Sequence, residues 1–113
     1  TYEVLLAVKN LKAKYKIDAE LISSPTIKPL DNLRILESVK KTGRAVTVEE
    51  HQITGGLGGA IAELLSEKLP SPLLRIGVED LFGESGSYED LKNKHGLSSH
   101  HIENRVINFL KDF

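Results

Sequence analysis

Apolar and polar positions alternate along the chain with periods that change several times. Leu5, Val8 and Leu11, with Lys12, recur three to four residues apart, which predicts an amphipathic helix over residues 2–15. Residues 17–23 alternate in part and are rich in Ile, Leu and Ala, the pattern of a strand. Residues 24–30 form a connector, because Pro25 and Pro29 each remove a donor and bias the residue before them toward extended geometry. Asp31 is placed to cap a helix over about 32–41 with Leu33, Leu36 and Val39 on its buried face, and Thr42-Gly43 ends it.

A β-branched strand is expected at 44–48, a loop at 49–55 and a helix at about 56–68 whose apolar face is Ile61, Leu64 and Leu65. Pro70 and Pro72 bracket the turn into a strand at 73–78. A loop follows over 79–86. Ser87 opens a short helix with Asp90 three residues later in a capping-box arrangement, and Gly96 ends it. Ser98 caps the last helix, with Ile102, Val106, Ile107 and Leu110 inward. Strands that alternate with helices in this way imply an α/β fold: a largely parallel sheet covered by helices. The chain opens on a helix where such a unit opens on a strand, so a first strand ahead of Tyr2 is expected outside these residues.

Composition narrows the function more than the fold. The 113 residues fit one domain, spanning 1–113, with no internal repeat or linker. Apolar residues at 40% against 27% charged exclude a disordered chain. A formal net charge of -1 gives no global attraction for nucleic acid or an anionic membrane. Lys9, Lys12, Lys14, Lys16, Lys40, Lys41 and Arg44 lack interleaved aromatics and are expected to be solvated helix surface rather than a nucleic-acid face. There is no Cys, which removes disulfides, thiolate metal sites and a cysteine nucleophile, and suits a cytoplasmic protein. The longest apolar run, residues 4–8, is too short to span a bilayer, and no basic stretch leads into an apolar one at the start. Thr1 stands where an initiator Met is absent, so the chain is expected to be a piece of something longer.

Four groups invite a chemical reading. Gly55-Gly56-Leu57-Gly58-Gly59 follows a strand and opens a helix, the setting of a phosphate-binding turn. Counting from Gly56, the third glycine of a nucleotide fingerprint falls on Ile61, so the match fails, and close packing of the helix is favoured over anion binding. Glu49-Glu50-His51 lies at the carboxyl end of a strand, the edge at which ligands gather in open α/β sheets. Adjacent side chains point different ways, so a polar loop in which one Glu satisfies backbone N–H groups at an interface is favoured over acid–base or metal chemistry. His95, His100 and His101 lack H-x-x-x-H spacing and are expected as solvated first-turn residues. Gly83-Glu84-Ser85-Gly86 closes one residue early for a nucleophile elbow, so Ser85 and Ser87 are expected in a turn and helix cap.

Several of these segments together carry a family resemblance. Pro25-Thr26-Ile27-Lys28-Pro29-Leu30-Asp31, Thr42-Gly43-Arg44-Ala45-Val46-Thr47-Val48-Glu49-Glu50-His51, Gly55-Gly56-Leu57-Gly58-Gly59-Ala60-Ile61-Ala62-Glu63, and Phe82-Gly83-Glu84-Ser85-Gly86 with 91–97 resemble, in order, the C-terminal domain of transketolases. They look most like the short or split kind, whose halves are separate chains. The resemblance implies a three-layer α/β/α domain with a mixed, mostly parallel sheet of about five strands. It implies a parent enzyme that moves two-carbon ketol units between sugar phosphates, as in the pentose phosphate pathway, using thiamine diphosphate and a divalent cation such as Mg held by its other domains. By the same resemblance this domain supplies no catalytic, cofactor-binding or metal-binding residue. Glu49, Glu50, His51, Gly55, Gly56, Gly58 and Gly59 are then candidate packing, dimer-contact or anion-contact positions. Expected partners are the remaining transketolase domains or a separate N-terminal half, within a homodimeric parent.

Two other readings stay open. One is the C-terminal domain of a 2-oxoacid dehydrogenase beta subunit or a 1-deoxyxylulose-5-phosphate synthase, docking a partner through Glu79, Asp80, Glu84, Glu89 and Asp90. The other is a module that binds a regulatory anion at the Gly55–Gly59 turn.

Overall fold

The computed structural model describes residues 2–22, 31–50, 56–78 and 88–112. In chain order they form α1 (Tyr2–Tyr15), α2 (Asn32–Thr42), β1 (Ala45–Glu50), α3 (Gly56–Lys68), β2 (Leu73–Val78) and α4 (Tyr88–Asp112). β1 and β2 pair in parallel, from Ala45 opposite Leu73 to Glu50 opposite Val78, with α3 as the crossover between them. Parallel strands need such a helical return, which a two-residue hairpin cannot provide.

In-register partners point to the same side of the sheet, so the pairing sorts the side chains into two faces. Val48, Leu74, Ile76 and Val78 pack with Ala7 and Leu11 of α1 and with Ile102 and Val106 of α4. Ala45 and Leu73 pack on the other side with Ile35 and Val39 of α2 and with Ile61, Leu64 and Leu65 of α3. The result is the expected three-layer α/β/α arrangement. Among the described residues the sheet has two strands. No helix among them is long and apolar enough to cross a membrane.

Local signals account for the helix ends. Asp31 Oδ1 accepts a hydrogen bond from the Arg34 N–H at 3.3 Å, one of the donors a helix start leaves without a partner. Gly43, at φ 88°, donates its N–H to the Val39 carbonyl and takes the left-handed turn that closes α2. α1 ends without glycine. Lys16 adopts φ 57° and donates to the Lys12 carbonyl, while Ile17 reaches back to the Leu11 carbonyl. A lysine in this conformation carries a steric cost of about 1–2 kcal/mol. It coincides with the entry of Ile17 into the α1–α4 core.

Three expectations change. The strand predicted at 17–23 does not form over 17–22, and Ser23 lies outside the described residues. Ile17 turns inward, but Asp18, Ala19, Glu20 and Leu21 are exposed, so this stretch has no continuous apolar face to bury against a sheet. The break predicted at Gly96, with a new cap at Ser98, is absent, since α4 runs unbroken through both. An interior glycine costs a helix only about 1 kcal/mol relative to Ala, which continued packing of the same helix on α1 and β2 offsets. Finally, Leu5 and Leu33 were placed on apolar faces but are 54% and 75% exposed. The buried stripe of α1 is Glu3, Ala7 and Leu11, and that of α2 is Ile35 and Val39 with Leu36 half-buried.

Candidate functional site

The carboxyl end of β1 and the start of α3 meet at Glu49. It is 8% exposed and lies on the sheet face that α3 covers. Its Oε1 accepts the Leu57 N–H at 2.6 Å and its Oε2 accepts the Gly58 N–H at 3.2 Å. A helix start exposes unpaired N–H groups and the positive end of the helix dipole, so a carboxylate there is stabilised twice over. The charge that a phosphate-binding turn would take from a ligand is supplied here by the protein's own side chain.

Gly58 shows why this turn is glycine-rich. A Cβ at this position would lie 2.5 Å from Arg75 Nε and 3.2 Å from Glu49 Oε2. Only a hydrogen fits between α3, Glu49 and the β2 arginine. Gly59 differs, for a Cβ there would meet nothing within 4 Å. Beside this cluster stands Thr47, which shares its strand face with Glu49 and is paired in register with Arg75. Thr47 is 6% exposed, and its Oγ1 has no hydrogen-bond partner among the described residues.

Of the residues singled out in the sequence, the structure therefore joins Glu49 to Gly58. Gly56 is the exposed first residue of α3, and Glu50 is the last residue of β1. His51 and Gly55 lie outside the described residues, as do Ser85, Ser87, Glu79, Asp80, Glu84 and the 24–30 connector. His100 and His101 are exposed as expected, but they sit well inside α4 rather than in a first turn. No group of three His, Cys, Asp or Glu side chains able to hold a metal occurs among the described residues.

Two features were not read from the sequence. Glu103 is buried in the α1–α4 seam, where its Oε2 accepts a hydrogen bond from Asn10 Nδ2 at 3.2 Å and lies 3.8 Å from His100 Nδ1. The signal available was its spacing: Ser99, Ile102, Glu103 and Val106 share one helical face. An open cleft of about 440 Å³ also lies between the stretch after α1 and the outer face of α2, lined by Glu20, Leu21, Arg34, Glu37 and Lys41 among others. On its wall Lys41 Nζ and Glu20 Oε2 are 2.7 Å apart. Hydrogen bonds from Lys41, then Ser38, hold the Glu20 carboxyl below its ordinary value of 4.5, and Glu20 raises Lys41 above 10.5. Both groups are at the surface, where water screens such a pair.

The family model "Transketolase, C-terminal domain" matches residues 1–102. The chain is 47% identical over 100 residues, 88% of its length, to the 6-deoxy-6-sulfo-D-fructose transketolase subunit of Clostridium sp. strain MSTE9. It is 44% identical over 97 residues, 84% of its length, to a transketolase C-terminal section of Methanocaldococcus jannaschii. Against a 1-deoxy-D-xylulose-5-phosphate synthase of Thermomicrobium roseum the identity is 36% over 102 residues, 89% of the chain. The chain spans only 31%, 29% and 16% of these three relatives. Among solved structures it matches a split-gene transketolase described as an inactive beta4 tetramer, with a TM-score of 0.74, 41% identity, 98% of this chain and 36% of that one covered.

The cofactor that the resemblance implies can be tested against the α3 terminus. A diphosphate approaching Leu57 and Gly58 would meet the Glu49 carboxylate already bonded there. The described residues at this point do not fit thiamine diphosphate.

Proposed function

Because this chain belongs to the transketolase C-terminal domain family, we propose that it serves as the assembly and dimer-contact domain of a ketol-transferring enzyme whose catalytic groups lie in other parts of the parent. The observation that carries this reading is Glu49. At the sheet edge where a ligand site would be built, a buried carboxylate instead ties the strand to the next helix. That arrangement serves packing. The parent is proposed to transfer two-carbon ketol units between sugar phosphates in the cytoplasm, with thiamine diphosphate and a divalent cation bound outside this domain. The names of the relatives support the reaction class, and one of them carries a sulfonated sugar in its name.

The partner is proposed to be the remainder of a transketolase, either as further domains or as a separate N-terminal half. A relative named as a subunit and a solved neighbour described as a split-gene enzyme support the second form. In a homodimeric parent, Glu49, Glu50, His51 and the Gly55–Gly59 turn are proposed to lie near the contact between copies. Several relatives favour a second reading, in which the parent is a 1-deoxy-D-xylulose-5-phosphate synthase.

Ketol transfer is to be measured with thiamine diphosphate and magnesium for this chain alone, for its complete parent and for the parent carrying Glu49→Ala or His51→Ala. Activity is expected only in the assembled parent. Glu49→Ala is expected to lower the assembled fraction in size-exclusion chromatography, while turnover per assembled enzyme changes less than about tenfold for both variants. Activity of the chain alone, or a loss of several orders of magnitude in a fully assembled variant, would overturn the assembly reading. Formation of 1-deoxy-D-xylulose 5-phosphate in place of ketol transfer would select the second parent.

A further inference from the structure

The seam between α1 and α4 buries a charge in the middle of an apolar contact. α1 contributes Glu3, Ala7, Asn10 and Leu11, and α4 contributes Ser99, Ile102, Glu103 and Val106. These positions repeat at three and four residues, so each helix lays one narrow stripe on the other. Glu103 is 2% exposed, and Asn10, 93 residues away in the chain, donates to it.

The apolar members of the seam do not by themselves fix an alignment. Hydrophobic attraction is non-directional and follows buried area. Ala7 and Leu11 are four residues apart, as are Ile102 and Val106. A slide of α1 by three residues, close to one turn of about 5.4 Å, would set Val4 and Val8 in the places of Ala7 and Leu11, apolar groups for apolar groups. The Asn10–Glu103 hydrogen bond does not survive that slide, because Ala7 takes the place of Asn10. In the slid arrangement the carboxylate keeps its burial and its His100 neighbour on α4 but loses its Asn10 donor, which is unfavourable for a desolvated carboxylate.

We propose that Glu103 and Asn10 pin the register of α1 along α4, selecting one alignment from several that the apolar stripe would accept. The pin fixes where the outer side of α1, including the exposed Leu5, is presented. It also sets where α1 ends and Ile17 enters the core. Its task is specificity of arrangement. Buried polar pairs contribute little net stability compared with well-packed apolar replacements, so stability and register are separable in experiment.

The test compares Asn10→Leu/Glu103→Leu, Glu103→Leu and Glu103→Gln in the full-length protein, by thermal melting and by amide exchange with NMR of α1. The double variant is expected to melt at or above the temperature of the unmodified protein, while α1 amides lose protection by about tenfold or more, or split into several sets. Glu103→Gln is expected to keep protection, because its amide oxygen still accepts from Asn10. Glu103→Leu alone is expected to lose it. One set of α1 resonances with unchanged protection in the double variant would overturn the proposal. So would equal loss of protection in Glu103→Gln and Glu103→Leu, or a double variant that melts several degrees lower or fails to fold, since each marks the pair as a plain source of stability.

Discussion

On one face of the sheet, α2 and α3 bury Ile35, Val39, Ile61, Leu64 and Leu65 and keep their buried charge at a helix end, where Glu49 holds the Leu57 and Gly58 N–H groups. On the other face, α1 and α4 bury Ala7, Leu11, Ile102 and Val106 and keep a carboxylate inside the seam, where Glu103 accepts from Asn10. Both carboxylates are desolvated. One satisfies backbone groups that any helix start leaves open, so it replaces water with a partner that must be satisfied in any case. The other satisfies a side chain that an apolar core does not require. A buried charge can thus close a helix end or choose between alignments, and its partner decides which.

The largest effect is expected in the α2–α3 layer. Leu65→Ala, at one of the most buried side chains, is expected to destabilise by about 2–5 kcal/mol in urea unfolding. A loss below that range would mean that this layer collapses around the gap and is looser than its burial implies. Next, Gly58→Val forces a side chain against Arg75 and Glu49 and is expected to cost about 1–3 kcal/mol. Gly59→Ala, facing open space, is expected to be neutral or to gain up to about 1 kcal/mol from helix propensity. Equal melting of both glycine variants would remove the close approach from the account of this turn.

A smaller effect sharpens the role of the carboxylate itself. Glu49→Ala leaves two helix-start donors without their acceptor and is expected to cost about 1–2 kcal/mol by chemical denaturation. Glu49→Gln retains one acceptor oxygen and is expected to recover part of that loss. Full recovery would show that hydrogen bonding without charge suffices. The smallest effect is at the surface pair. The Glu20 carboxyl is lowered below 4.5, so its stabilisation is present above the unfolded value and is lost as pH falls through the folded one. Lys41 is raised above 10.5, so its share is present below the unfolded value and fades as pH rises through the folded one. Glu20→Gln is therefore expected to lower the neutral-pH melting temperature slightly, with the difference closing in acid and in high salt. A difference that persisted in acid would assign it to something other than this pair.

How far the sequence could be read depends on the range of the interaction involved. The sequence places α1 at its observed ends, and α2, α3 and β2 within a residue of theirs, because period, caps and turn residues act over three or four positions. Asp31 and Gly43 each work on a partner within that distance. The alternation of element types carried the parallel sheet covered by helices, and the family resemblance its three layers. The resemblance to transketolase C-terminal domains was legible in the same segments, and the family match confirms it. The Glu-Glu-His loop pointed to a Glu that satisfies backbone donors, and Glu49 does so, although the partners are the next helix of the same chain.

Which side of each element faces inward, and what the inward charges do, is settled only when distant segments meet. The apolar Leu5 and Leu33 point to water, while the charged Glu103 is buried, an inversion that hydropathy along the chain does not register. Gly96 and Ser98 look like a helix end in sequence but lie inside α4, because a long packed face outweighs a local cost of about 1 kcal/mol. Burial is set by the surface that arrives from elsewhere: Asn10 meets Glu103 across 93 residues, and Gly58 is crowded by a side chain of β2. Propensity and capping are properties of a few consecutive residues. The facing of a helix and the partner of a buried charge belong to pairs of distant segments, and they exist only once the chain has folded.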